Sequence, residues 1–226
     1  MTEQNERFAD RLTEQLAKKS KRKSWSTSAP LFDDEAALAN ALANAPDQDA
    51  QAPLFVELEG SLVRERSVNY LVRLGWGQLG GLVKSALCLP LGRNKFKRAL
   101  AKNVEFDPAK LPYNESFLEW LWGERESDRP IWLLTSADEV YAKKIANYLG
   151  LFDGVIASNE KRSLRGDAKL AMIRKRFSHR DPFDYCGCAY ADLNVFAGAR
   201  NAILVGATKE VQRHTVSQGN VSLVFD

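Results

Sequence analysis

From residue 53 onward, short apolar runs recur along the chain, and helix-like stretches of 10–13 residues separate most of them. PLFVELEG, IWLLTS, GVIAS, FDYCG, AILVG and VSLVF read as strands. The intervals 138–150, 167–177, 191–200 and 209–218 read as helices. Strands without polar alternation are buried on both faces, and a strand followed by a helix of this length returns as a parallel crossover. The expected fold class is therefore α/β, a doubly wound, mainly parallel sheet with helices on both faces.

One interval departs from this rhythm. About 70 residues separate the first strand from IWLLTS, too many for one crossover helix. Their content is helical, over 64–73, 76–88, 94–103 and 114–123. Ligands of doubly wound sheets bind beyond the carboxyl ends of the strands. An insertion after the first strand would therefore lie over that site as a cap. The expected division is an N-terminal helical or flexible arm and linker over 1–52, and a domain over 53–226. Within that domain the core is 53–63 with 128–226, and the cap is 64–127.

Composition narrows the class further. The chain has 226 residues, 45% of them hydrophobic and 27% charged, with a net charge of +3. This excludes global disorder and an integral membrane chain. The arm sums to −2 despite its KKSKRKS run, and the rest sums to +5. No dense one-sided basic excess marks a nucleic-acid module. The most apolar stretch, LGWGQLGGLVKSALCLPL, carries Lys84, four glycines and Pro90. A spanning helix needs about 20 mostly apolar residues, so this is an amphipathic or buried segment with an interfacial role open to it. The three cysteines, Cys88, Cys186 and Cys188, imply no disulfide framework. With a polar, acidic N-terminus they point to the cytoplasm, with peripheral membrane contact as a further expectation. Cys186 and Cys188 form C-x-C, but neither Cys88 nor His179 and His214 have the spacing to complete a zinc site. The two read as packing residues on one strand face.

Polar residues gather at the strand ends. They are Glu57, Glu59 and Ser61 after the first strand, Thr135 and Ser136 after the second, Lys169 near the helix after the third, and Cys188 and Asp192 after the fourth. Carboxylates suit a hard divalent cation, and a hydroxyl with an ammonium suits phosphoryl oxygens. Each has a plainer reading. Lys169 is also readable as a surface lysine, Thr135 as a strand-end hydroxyl, and Asp192 as a helix start. Ser136 with Glu139 has capping-box spacing, which favours a helix cap there.

The ordered set PLFVELEGSLV, LPYNESFLEWL, RPIWLLTSADE, LGLFDGVIASN, LRGDAKL, FDYCGCAYADL and ARNAILV resembles the haloacid dehalogenase superfamily of phosphohydrolases. Within it, the chain is most similar to the soluble N-terminal domain of ubiquinone-biosynthesis-type polyprenyl aromatic prenyltransferases. The resemblance covers residues 53–205 and implies a Rossmann-like core with a cap. It also implies a site in which Glu57 stands at the nucleophile position and Glu59 at the acid–base position. Thr135 and Lys169 would hold the phosphoryl group, and Glu57, Glu59 and Asp192 would hold Mg²⁺. Family members carry aspartates where Glu57, Glu59 and Cys188 stand here. Each glutamate shifts its carboxylate, and a misplacement of ~1 Å can cost ~10²-fold in rate. Cys188 offers Mg²⁺ a soft thiol. The leading expectation is a domain with lost or reduced phosphohydrolase activity, kept for phosphate-ligand binding or regulation. Its alternatives are an active Mg²⁺-dependent phosphohydrolase acting on a small or lipid-linked phosphate, and an interaction module that meets a membrane prenyltransferase through residues 1–52. No nucleic-acid partner and no transmembrane segment are expected.

Overall fold

The computed structural model describes residues 52–177 and 181–226. The expectations for residues 1–51 and for His179 lie outside them. Six strands form the core: β1 Leu54–Val56, β2 Ile131–Asp138, β3 Gly154–Ser158, β4 Asp184–Gly187, β5 Asn201–Val205 and β6 Val221–Phe225. They make one sheet in the order β3-β2-β1-β4-β5-β6, and every pairing is parallel. The α/β expectation therefore holds. β1 and β4 are buried throughout, as is nearly all of β2, which is why these strands read as continuous apolar runs. β6 is the exception: it lies on the sheet edge, with Leu223 and Val224 exposed.

Strand order places the site. β2 and β3 extend the sheet on one side of β1, and β4 to β6 extend it on the other. The chain segments leaving β1 and β4 thus diverge, and in doubly wound sheets the carboxyl ends of the strands at such a switch point are where ligands bind. At the opposite end of the sheet, Arg129 is buried and donates to the carbonyl of Ala52 (3.0 Å) and to the carboxylates of Glu124 and Asp184. Asp184 also accepts from Arg200 and from the Asn201 amide. This cluster fastens the starts of β1, β2, β4 and β5 together. Burial works against the Asp184 carboxyl, but Arg200 and Arg129 hold it below its ordinary value.

Four helices and two 3-10 turns fill the interval between β1 and β2. They are α1 Ser67–Gly75, α2 Leu79–Ala86, the turn Leu89–Leu91, α3 Arg93–Asn103, the turn Pro108–Lys110, and α4 Glu115–Glu126. α4 is capped by Asn114, whose side chain accepts from the Phe117 amide. Beyond β2 come α5 Glu139–Leu149, α6 Asp167–Arg176, α7 Leu193–Gly198 and α8 Lys209–Val216. α5 buries Tyr141, Ala142, Ile145, Ala146 and Leu149, one stripe of helical period, and ends at Gly150 in the left-handed conformation.

Three local readings are corrected. β1 stops at Val56, because residues 57–63 turn back on themselves: the amides of Leu62 and Val63 donate to the carbonyls of Glu57 and Leu58, and Gly60 has φ +84°. β4 stops at Gly187, so Cys188 lies beyond the strand and is only partly buried, whereas Cys186 is buried within it. The cap of α5 is Asp138, whose carboxylate accepts from the Val140 amide, while the Ser136 hydroxyl turns elsewhere.

α2 and α3 touch at Gly81, where an added Cβ would stand 2.1 Å from the Asn103 carbonyl oxygen. Its neighbour Gly80 faces open space. Gly81→Ala should therefore destabilise the fold by about 1–3 kcal/mol, whereas Gly80→Ala should stabilise it by up to ~1 kcal/mol through helix propensity. Chemical denaturation of the two variants checks the opposite signs.

Candidate functional site

Glu57 is the first residue past β1, and its amide still pairs with the Cys186 carbonyl of β4 (2.9 Å). Its side chain points into the protein and is 3% exposed. A carboxylate there must be matched by donors, because bulk water does not reach it. Oε1 accepts from the amides of Leu58 (3.0 Å) and Glu59 (3.1 Å) and from Thr135 Oγ1 (2.7 Å). Oε2 accepts from Lys169 Nζ. The two amides come from the turn at 57–63, the hydroxyl from β2 and the ammonium from the first turn of α6.

Lys169 joins the rest of the site. Its ammonium also donates to Asp192 Oδ2 (2.6 Å) and to the Tyr185 hydroxyl (3.1 Å), and Tyr185 in turn donates to Asp192 Oδ2 (2.8 Å). Lys169 and Asp192 are as buried as Glu57. Burial raises the Glu57 carboxyl above its ordinary value; the opposing attraction of Lys169 does not cancel this, and repulsion from Asp192 adds to it. Burial pulls the Lys169 ammonium down, but Glu57 and Asp192 push it up further, so it stays protonated.

Glu59 belongs to a separate cluster. Its Oε1 accepts from the amide (2.9 Å) and hydroxyl (2.5 Å) of Ser67, the first residue of α1, and its Oε2 accepts from Ser136 Oγ (2.9 Å). The carboxylate therefore caps α1, where a negative charge is favoured by the helix dipole. Burial opposes its ionisation, but Lys97 and the Ser67 and Ser136 bonds hold its pKa below the ordinary value. Lys97, on α3, also donates to the Ser136 carbonyl (2.8 Å).

Thus Glu57, Thr135, Lys169 and Asp192 meet in one network, and Glu59 faces the helices between β1 and β2. Cys188 lies near both: its thiol donates to the Glu59 carbonyl (3.6 Å). A Cβ at Gly60 would stand 2.7 Å from Cys188 Sγ, so only glycine leaves room for the thiol. Burial raises the thiol's pKa and keeps it protonated.

Two participants were not read from the sequence. Tyr185 sits inside FDYCG, and its one signal was a hydroxyl in a buried strand, which requires a partner. Ser67 gave none, since the carboxylate that caps its helix comes from eight residues upstream.

A hard divalent cation calls for several unencumbered oxygen ligands. Here the Lys169 ammonium holds both the Glu57 and the Asp192 carboxylates, Glu59 is turned to α1, and Cys188 is a protonated soft donor. Among the described residues no three His, Cys, Asp or Glu side chains are grouped to hold a metal ion. This donor arrangement does not fit Mg²⁺.

The fold has solved counterparts. A substrate-bound phosphoserine phosphatase aligns with a TM-score of 0.53 and 14% identity, over 79% of this chain and 94% of that one. A HAD family hydrolase, t0658, from Salmonella enterica serovar Typhi aligns with a TM-score of 0.52 and 13% identity, over 73% of this chain and 65% of that one. The fold is therefore the haloacid-dehalogenase-like, Rossmann-type α/β fold of these two proteins. In sequence, the chain is similar to the uncharacterized protein y4nM of Sinorhizobium fredii (strain NBRC 101917 / NGR234), with 32% identity over 159 residues. Those residues are 70% of this chain, but the chain spans only 30% of that relative's length. No family model matches.

Removing the cation tests the network. Lys169→Met should cost about 3–5 kcal/mol at pH 7, because two buried carboxylates lose their shared partner. The loss should shrink as pH is lowered, because the Glu57 carboxyl, already raised by burial, takes up a proton. In the native chain the lysine's folded pKa lies above its unfolded one. Its stabilisation is thus fully present below the ordinary lysine value and disappears as pH rises through the folded value. Denaturation of both proteins across pH checks these signs.

Proposed function

We propose that this domain is a phosphatase-fold module whose phosphohydrolase turnover is lost or much reduced, and whose strand-end site is held closed by its own glutamate. The observation that carries this reading is the set of donors on Glu57. Two backbone amides, one hydroxyl and one ammonium converge on a single point, and they are the donors a phosphoryl group would need. The Glu57 carboxylate takes all four. The longer side chain lets it fold back onto the amides that follow it. It then occupies the anion's place instead of facing it.

Turnover would make two further demands. The nucleophile must approach phosphorus in line, with a free lone pair at near-attack distance. A second group must move a proton, with a pKa near the working pH. Glu57 is engaged by its donors, and Glu59 is held ionised at the start of α1 with its pKa lowered. On this reading the cap over 64–127 and the core are joined through Glu59, Ser67, Ser136 and Lys97, which serve packing. A phosphate-bearing ligand would enter only by displacing the Glu57 carboxylate.

The competing reading is an active Mg²⁺-dependent phosphohydrolase for a small or lipid-linked phosphate. It rests on the convergence of Glu57, Thr135, Lys169 and Asp192. Turnover of p-nitrophenyl phosphate with and without Mg²⁺ separates the two. The native chain is expected to match the protein-free rate in both conditions. The combined Glu57→Asp, Glu59→Asp and Cys188→Asp variant, with shorter carboxylates and a third hard ligand, is expected to gain Mg²⁺-dependent turnover of at least tenfold. Native turnover that Glu57→Ala abolishes would overturn the proposal.

A further inference from the structure

A second feature lies away from the strand-end site and is independent of what that site does. Residues 66–104 contain eight Lys and Arg and no Asp or Glu. The same segment exposes most of the large apolar side chains that stand open on the described surface: Trp76, Leu79, Val83, Leu87, Leu89 and Leu91, from 55% exposed at Leu89 to 73% at Leu87. Scattered exposed leucines are ordinary, but a contiguous set marks an interaction surface.

The helix geometry gathers them. On α2, Leu79, Val83 and the following Leu87 repeat every four residues and lie on one face. The opposite side of α2 is tied to α3. Gly81 abuts the Asn103 carbonyl, and Ser85 is buried and donates to the Gly81 carbonyl (2.8 Å). The turn Leu89–Leu91 continues the exposed run without burying any of its residues. Lys84, Arg93 and Lys95 are exposed beside it, and among the described residues none of them makes an ion pair. Lys97 and Arg98 are spoken for by the core: Lys97 donates to the Ser136 carbonyl, and Arg98 pairs with Glu139.

We infer that this face docks on the surface of an anionic lipid bilayer. Apolar side chains would enter the headgroup boundary, with Trp76 at the interface where its ring is favoured, while Lys84, Arg93 and Lys95 meet lipid phosphates. Charge decides between this occupant and a second copy of the chain. A two-fold dimer would set the unpaired Lys84, Arg93 and Lys95 against their own copies, whereas an anionic membrane supplies their counter-charge. The face lies on helices too short and too interrupted to cross a bilayer, and no helix among the described residues is long and apolar enough to do so.

Vesicle flotation of the full 226-residue chain tests this. Vesicles of phosphatidylcholine alone are compared with vesicles that also contain phosphatidylglycerol. The chain is expected to float with the anionic vesicles and not with the neutral ones, and to be released when salt is raised to about 0.5 M. Each basic residue near such a surface contributes about fivefold. Lys84→Gln, Arg93→Gln and Lys95→Gln together should therefore weaken binding on the order of 100-fold. Trp76→Ser with Leu87→Ser should weaken it at least tenfold. All five positions are exposed, and an unchanged circular dichroism melt verifies the fold of each variant. Equal recovery with both vesicle types would overturn the inference, as would no recovery with either. So would binding that survives these variants and is lost on neutralising Lys18, Lys19, Lys21, Arg22 and Lys23 instead. A concentration-dependent dimer that Trp76→Ser with Leu87→Ser disperses, without flotation, would assign the face to self-association.

Discussion

A carboxylate buried at the end of a central strand can persist only if the rest of the fold supplies its donors, and Glu57 is supplied from every side. The turn after β1 contributes two amides, β2 a hydroxyl and α6 an ammonium. Lys169 then recruits Asp192 and Tyr185 from the β4 side of the switch point. One interaction therefore couples the first strand to three later elements. Removing Lys169 would leave two buried carboxylates, Glu57 and Asp192, without their shared cation, which costs more than the ion pairs themselves contribute. On the proposed reading, the same satisfaction that stabilises the strand end also withdraws its groups from an incoming phosphate.

Glu59 shows how two neighbouring carboxylates with the same chemistry receive different tasks. The turn at Gly60 sends Glu57 inward and Glu59 toward α1. There Glu59 meets Ser67, Ser136 and Lys97, and its charge is stabilised where that of Glu57 is strained. The helical segment between β1 and β2 is thus tied to the core by polar contacts on one side. Its other side presents apolar and basic residues outward. Among the described residues, this outward face and the buried ion-paired site are two departures from an ordinary globular surface and core.

Much of the architecture was legible in the chain. Apolar runs separated by helical stretches indicated a parallel sheet, and the long gap after PLFVELEG indicated inserted helices. Four of the proposed site residues, Glu57, Thr135, Lys169 and Asp192, do meet, because strand ends converge in any sheet of this topology. Their contacts were not legible. Ser136 had capping-box spacing, yet Asp138 takes the cap and Ser136 turns to a carboxylate 77 positions away in the chain. Cys186 and Cys188 read as packing residues on one strand face, but Cys188 lies past the end of β4 with its thiol on the Glu59 carbonyl. Both misreadings have one cause: local spacing competes with hydrogen bonds to residues distant in sequence, and burial makes the distant bonds stronger.

The sequence by itself determined the fold class, the order of the elements and the identity of the groups delivered to the strand ends. Hydrophobic periodicity and the fixed chirality of crossovers leave few other arrangements for such a chain. Only the tertiary structure decided what those groups do to one another. A glutamate differs from an aspartate by one methylene, and whether its carboxylate faces a ligand or folds back onto its own backbone amides depends on the turn at Gly60 and on donors from β2 and α6. Those positions exist only once the sheet has assembled.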